Sequence, residues 1–309
     1  SAFYDEAIRP LQQVVKDRGL WSCHLTPEYG GQGYGQVQLA YMNEILGRSQ
    51  FGPTVFGNQA PDSGNAEIIA HYGTEEQKAK YLPGLISGAH VGSLAMSEVG
   101  AGSDVVSMKL KADPVAGGFR LNGTKFWITN GTCADTLVVY AKTAPEAASR
   151  GITAFLIEKD MPGFSIGQKI DKMGLRGSPT AELVFDDCFV PDEHVMGPVH
   201  GGVGVLMSGL DYERVVLCGG PLGIMQACLD IVVPYVHERQ QFGAPIGTFQ
   251  MIQQKIADMK CKLDASLFLT LRAAWLDSKG KAADVIAELH KTSVDNLLWL
   301  HDHMAPELR

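Results

Sequence analysis

The 309-residue chain is short of positive charge. It carries 26 Lys and Arg against 34 Asp and Glu, a net charge of −8, so nothing favours nucleic acid or an anionic membrane as a partner. Cysteine is equally uninformative as a scaffold. The six, Cys23, Cys133, Cys188, Cys218, Cys228 and Cys261, form no C-x-x-C pair and stand in apolar contexts, which speaks against a disulfide framework and for reduced thiols inside a cell. No uninterrupted apolar run reads as long enough to span a bilayer, and membrane insertion is not expected. The opening Ser1-Ala-Phe-Tyr-Asp-Glu6 resembles neither a signal nor a transit peptide. No dinucleotide fingerprint is present either: Gly30-Gly-Gln-Gly-Tyr-Gly35 follows no clear strand and has the wrong spacing, so it reads as a loop between helices.

What is present falls into three textures. Residues 1–92 read as helical, with amphipathic segments over Ala7–Arg18 and Val37–Arg48 and a capping box at Thr74-Glu-Glu-Gln77. Over 93–200 alternating, β-branched and aromatic runs take over: Val106–Ala112, Gly118–Leu121, Thr124–Thr129, Thr136–Lys142, Ile152–Lys159, Ser165–Lys172 and Ala181–Phe185. Asn122-Gly123 predicts a two-residue hairpin turn. No long helical pattern alternates with these strands, so an antiparallel sheet or barrel is expected rather than a doubly wound one. Over 201–309 the helical period returns, with Pro221 and Pro234 as breaks or kinks, Gly243 as a stop and a further helix from Phe249 to Leu276. The reading is an α+β multidomain protein: helical domain, middle β-domain, helical bundle. His301-Asp-His303 reads as a solvated helix end, and no metal site is expected.

Three stretches carry candidate chemistry. Read as a helix, 201–220 places Leu206, Leu210, Glu213 and Leu217 on one stripe, and no cation lies three or four residues from Glu213. A partly desolvated carboxylate of this kind has a raised pKa and suits a general base; its alternative is a pairing with a distant Lys or Arg. Leu94-Ala-Met-Ser-Glu-Val-Gly-Ala-Gly-Ser-Asp104 is small enough in its side chains to let backbone N–H groups and hydroxyls approach a ligand, or it is an ordinary glycine turn. Gly123-Thr-Lys-Phe-Trp-Ile-Thr-Asn-Gly131, read as a strand, sets Trp127 and Thr129 on one face, an aromatic wall and a hydroxyl for a flat cofactor, or simply packing.

In this order and spacing, with Arg239-Gln-Gln-Phe-Gly243 followed by Ile246 and Gln250, the stretches resemble the acyl-CoA dehydrogenase family, and within it the isovaleryl-type branch, over about residues 10–280. The resemblance implies FAD as cofactor. It implies flavin contacts at Leu94, Ala95, Met96, Ser97, Gly102, Ser103, Trp127, Ile128 and Thr129, with Arg239 and Gln250 reaching the FAD of a neighbouring subunit. It implies acyl-CoA contacts at Ser103, Ser149, Arg150, Asp211, Tyr212, Glu213 and Arg214. Glu213 would take the α-proton of an acyl-CoA thioester, with isovaleryl-CoA the expected substrate and the β-hydride passing to the flavin. An electron-transferring flavoprotein is the implied acceptor, a homotetramer the implied assembly, and the compartment the cytoplasm of a bacterium or the mitochondrial matrix of a eukaryote. Alternatives are another acyl chain, an oxidase, or a non-catalytic relative acting in binding or assembly. The chain departs from the pattern at Val99, where the family has Pro, and at Gly204, where isovaleryl-type enzymes have Tyr. Residues 281–309 do not resemble the family's closing segment, which would leave the helical bundle incomplete.

Overall fold

The computed structural model describes residues 4–279. It divides into two compact units: Val14–Gln32 with Gly57–Leu210, and Ser1–Gln13 with Gly33–Phe56 and Asp211–Arg309. His301-Asp-His303 lies outside the described residues.

The first unit is built on an eight-stranded sheet. Its strands are β1 (Gly92–Ala95), β2 (Lys111–Val115), β3 (Gly118–Thr129), β4 (Thr136–Lys142), β5 (Ile152–Glu158), β6 (Phe164–Lys169), β7 (Thr180–Pro191) and β8 (Val195–Met196), ordered β6-β7-β3-β2-β4-β5-β8. Strands β4 and β5 are apolar nearly throughout, and alternation splits their side chains between two cores. Val138, Tyr140, Ile152, Ala154 and Leu156 face one core, which includes Ile68, Ile69, Tyr81, Leu82 and Leu85. Leu137, Val139, Ala141, Phe155 and Ile157 face the other, with Leu121, Leu183, Phe185 and Val190.

Two helices, α4 (Asp62–Tyr72) and α5 (Glu75–Ser87), supply the covering layer on the first face. Thr74 caps α5 as expected: its Oγ1 accepts from Gln77 N at 3.2 Å, and Gln77 Oε1 accepts from Thr74 N at 3.0 Å. Gln77 then donates through Nε2 to the Glu193 and Val195 carbonyls at 2.8 and 2.9 Å, and Tyr81 Oη donates to Glu158 at 2.8 Å. Gln77 of the capping box thus also pins α5 to the sheet edge.

The pairing is antiparallel except around β4, where β1 and β2 are both parallel to it. They occupy one edge of β4 in succession. Gly92–Ala95 pairs with Thr136–Val139, and Lys111 pairs with Lys142. The chain leaves that edge at Met96 and returns at Lys111. Asn122-Gly123 is not the hairpin turn its dipeptide suggests. It lies inside β3 at a register shift against β7, with Gly123 at φ 137°, while the tight turn falls at Ala116-Gly117. The expected strand over Val106–Ala112 begins only at Lys111, because Val105–Ser107 form a 3₁₀ turn.

In the second unit, α2 (Gln36–Gly47), α3 (Gly52–Phe56), α7 (Gly219–Glu238) and α8 (Gln250–Asp277) are described, with α1 (Arg9–Asp17) and α6 (Gly202–Leu217) each contributing one end. Ala40, Val215, Ala273, Ala274 and Leu276 form one buried cluster, and Leu222, Leu229 and Leu263 another. Helices α2 and α7 pass at backbone distance: a Cβ on Gly223 would lie 2.0 Å from Glu44 O, and one on Gly47 2.1 Å from Gly220 O. The break expected near Pro221 falls at Cys218, which puts Pro221 in the first turn of α7, where its missing N–H is not needed. Gly243 does not end α7. The helix stops at Glu238, and Gly243, at φ 77°, turns the short hairpin of β9 (Gln240–Gln241) and β10 (Ala244–Pro245). Contrary to the sequence reading, the stretch Gly202–Glu238 is long and apolar enough by length and composition to cross a membrane. Only part of that stretch is buried: Val215, Leu222, Leu229 and Val236 are covered, whereas Leu217, Ile224, Ile231 and Tyr235 are exposed.

Two predictions follow from the packing. Gly223→Ala forces α2 and α7 apart and should cost about 1–3 kcal/mol of stability, while Gly220→Ala, whose Cβ meets nothing within 4 Å, should leave the melting temperature unchanged or slightly raised. The second concerns His24, whose Nε2 is buried without a partner. Burial pushes its ring down to about 4, against the opposing effect of hydrogen bonds with the Ser63 backbone and the Asn58 side chain. Its folded pKa lies below the unfolded value near 6.5, so stability should be lost as pH falls from about 6.5 toward 4. A thermal-melt series should show that loss in the parent protein and a shallower one in His24→Gln.

Candidate functional site

The excursion between β1 and β2 is held against β3 by paired contacts. Ser93 Oγ donates to Thr129 O at 2.6 Å, Ser97 Oγ donates to Phe126 O at 2.7 Å, and Phe126 N donates to Ser97 O at 2.9 Å. Two segments predicted to meet a cofactor, Leu94–Ser97 and Trp127–Thr129, are therefore brought side by side. The excursion itself is a tight turn in which Glu98 and Ala101 exchange backbone hydrogen bonds, at 3.0 and 3.1 Å. Gly102 and Ser103 follow, exposed, and so is Val99.

Beneath this turn lies an ion pair. Lys125 is fully buried and Glu98 is 9% exposed. Lys125 Nζ donates to Glu98 Oε1 at 2.9 Å and to Met96 O at 3.0 Å. Glu98 also accepts from Lys109 N at 2.6 Å and Leu110 N at 3.0 Å, where the chain re-enters the sheet. Burial lowers the Lys125 ammonium to about 8, and the Glu98 charge opposes that fall. The sequence reading passed over both residues. The available signal was a lone Lys in an apolar strand and a lone Glu beside a glycine turn.

Trp127 is the most unusual residue of the site. A register shift between Lys125 and Ile128 against β7 inserts an extra residue in β3, and Trp127 sits in that bulge at φ 64° with 56% of its surface exposed. A bulky non-glycine residue in the left-handed region is strained, and the exposed indole forgoes burial. Its ring meets Phe126 edge-on, with centroids 5.1 Å apart and planes at 90°. The bulge also separates Trp127 from Ile128, which is buried in the second core with Ala95. Ala95 and Ile128 can therefore offer a ligand only their backbones, whereas Leu94, Met96, Ser97 and Thr129 keep partly open side chains. An exposed aromatic ring between two hydroxyl-bearing segments fits a flat heteroaromatic group.

Ser149 and Arg150 are exposed in the turn Pro145–Gly151 of the same unit. That turn is anchored by the buried Lys142, whose Nζ donates to Ala148 O at 2.7 Å, with Ala148 at φ 52°.

In the second unit, Glu213 and Arg214 lie on α6. The same helix carries Asp211 and Tyr212 in its backbone. Glu213 is half-buried, and its carboxyl is raised above the ordinary range by burial, with the Arg214 charge opposing. Such a group can hold and release a proton closer to neutrality than an exposed Glu. Arg239 caps the C-terminus of α7 and Gln250 opens α8, both exposed, with the β9–β10 hairpin between them. At the hairpin tip Phe242 is almost fully exposed at φ 53°. Gly204 has open space around it in the first turn of α6.

Three family models match the chain: the acyl-CoA dehydrogenase N-terminal domain over residues 3–89, the middle domain over 93–188 and the C-terminal domain over 200–305. The match thus continues past about residue 280, where the resemblance read from the sequence stops. The chain is 59% identical to the mitochondrial isovaleryl-CoA dehydrogenase of Solanum tuberosum over 256 residues, which are 83% of this chain and 62% of that protein. It accordingly spans less than two thirds of that relative's length. Among solved structures, a glutaryl-coenzyme A dehydrogenase in complex with glutaryl-CoA superposes with a TM-score of 0.79 at 35% identity, covering 95% of this chain and 77% of that one. PigA with FAD and proline gives a TM-score of 0.83 at 29% identity, over 94% and 79%. With the zipped β1–β3 segments, the half-buried Glu213 and these three matched domains in place, the chain belongs to the acyl-CoA dehydrogenase family.

Proposed function

We propose that the chain acts in the FAD-dependent α,β-dehydrogenation of a short or branched acyl-CoA, with isovaleryl-CoA as substrate. The observation that carries this reading is the strained, exposed Trp127 set between Leu94–Ser97 and Thr129. It is a ready-made shelf for a flat ring, and a structural neighbour with this fold carries FAD. The acyl group is suggested by the relative named for isovaleryl-CoA, at 59% identity.

The roles are those the family resemblance implies, and the chemistry of the residues suits them. Ser97 and Thr129 present hydroxyls beside Trp127, and the backbones at Ala95, Met96 and Ile128 present N–H and C=O groups to the same ring. Gly102 and Ser103 border the cofactor, and Ser103 meets the acyl-CoA as well. Ser149 and Arg150, the latter a cation on an exposed turn, lie along the CoA moiety. Asp211, Tyr212 and Arg214, next to Glu213 in sequence, are the acyl-CoA-binding residues in this reading. Glu213 removes the proton α to the thioester carbonyl, a role that its raised proton affinity suits. FAD, when bound, supplies the acceptor for the hydride that leaves the β carbon. Arg239 and Gln250 reach toward the cofactor of a neighbouring subunit in a homotetramer, and an electron-transferring flavoprotein takes the electrons onward. The division at 1–92, 93–200 and 201–309 belongs to the same reading, as does a matrix or bacterial cytoplasmic location.

Two measurements test it. The FAD-loaded protein, given isovaleryl-CoA without oxygen, should lose its visible flavin band rapidly. Bleaching by a straight-chain acyl-CoA alone would keep the chemistry and change the substrate, and no bound flavin at all would sink the reading. Glu213→Gln should retain FAD and acyl-CoA binding but turn over about 10²–10⁴-fold more slowly. In the parent protein the acid limb of the rate profile should fall above 4.5, the ordinary value for Glu, because the carboxylate must be free of its proton to act.

A further inference from the structure

The Lys125–Glu98 pair has no part in the chemistry just described, yet its hydrogen bonds end on the site. Lys125 Nζ reaches the Met96 carbonyl, in one of the two segments beside Trp127. Lys125 itself stands two residues before Trp127 in the other. Glu98 directly follows Ser97, and its carboxylate holds the Lys109 and Leu110 N–H groups where the excursion closes. One buried salt bridge at 2.9 Å therefore fixes the start of the excursion, its end and the bulged strand at a single spacing.

We propose that Lys125 and Glu98 are positioning residues for the flavin: their ion pair sets the separation of Leu94–Ser97 from Trp127–Thr129 and so shapes the slot into which the ring fits. This rests on the flavin reading above. A purely structural pair is a poor bargain at this place, because two well-packed apolar side chains would hold the fold as well or better. What apolar packing cannot do is fix a loop to a strand with directional bonds. Here four bonds from two charged groups reach Met96, Lys109, Leu110 and one another. The Ser93, Ser97 and Phe126 bonds lay the two segments side by side, and the ion pair adds a tie from beneath that also holds the returning chain at Lys109 and Leu110. Regular β3 pairing is interrupted between Lys125 and Ile128, so the sheet ladder does not itself set where Trp127 stands.

The test compares the parent protein with K125M, E98Q and the double variant K125M/E98Q. The readouts are the melting temperature of the FAD-free protein, the FAD dissociation constant from flavin fluorescence, and the visible circular dichroism of the bound flavin at saturation. Each single variant changes one charge. The double variant leaves no buried charge unpaired and should melt no lower than K125M. If the pair positions the flavin, the double variant still binds FAD about tenfold more weakly and its bound flavin gives an altered dichroic band. A double variant with the parent's FAD affinity and dichroism would overturn the proposal and leave the pair a structural one. Should the double variant not fold, the isosteric E98Q carries the same comparison, and parental affinity and dichroism there overturn the proposal equally. If the parent protein takes up no FAD, the flavin reading falls first and this inference with it. That result is distinct from a parent that binds FAD and variants that bind it unchanged.

Discussion

A lysine ammonium and a glutamate carboxylate are buried together beneath the turn that follows β1, and the geometry around them depends on their staying paired. Removing two charges from water costs several kcal/mol per ion, which is recovered only when the geometry is good and the remaining polar atoms are satisfied. Both conditions hold. Glu98 accepts from Lys125 and from two backbone N–H groups, and Lys125 also reaches the Met96 carbonyl. Loss of either partner alone would strand the other, so the turn at Glu98–Ala101, the return of the chain at Lys111 and the course of β3 are held together.

The same region concentrates the local exceptions of the sheet unit. Strands β1 and β2 share one edge of β4 with a break between them, β3 is bulged, and Trp127 is both strained and exposed. Other irregularities lie further off, at Ala148, Asp187 and the β6–β7 register shift, while β4 and β5 alternate between two cores and α4 and α5 cover one face. Backbone strain of this kind clusters at ligand-binding and active sites.

The sequence was most legible where periodicity and burial agree. The strands over Thr136–Lys142 and Ile152–Glu158, the capping box at Thr74 and the long helix ending at Asp277 were readable because each has a repeating apolar pattern or a definite cap. The misreadings share a cause. Asn122-Gly123 has the local chemistry of a hairpin turn, but both flanking runs belong to one strand paired with β7, and the dipeptide serves as a bulge. Gly243 stops no helix because Arg239 had already left it for a hairpin. Helix α4, with small and polar residues mixed among its apolar ones, shows little periodicity and owes its burial to the sheet beneath it.

By itself the sequence determined the succession of helical, β and helical segments and the motifs that tie the chain to its family. Those depend on side-chain period and on residue identity at fixed spacing, and both are local. It also marked Glu213 as a carboxylate on a helical stripe with Leu206, Leu210 and Leu217; in the structure Glu213 is half-buried, Leu206 is buried and Leu217 is exposed. Tertiary structure alone decided that Lys125 meets Glu98 across 27 residues of chain, that two distant segments lie side by side, and that Trp127 faces outward although Lys125, two residues earlier, faces in. Each of these follows from strand register and from one extra residue in a bulge, and register is settled only when the partner strand is in place.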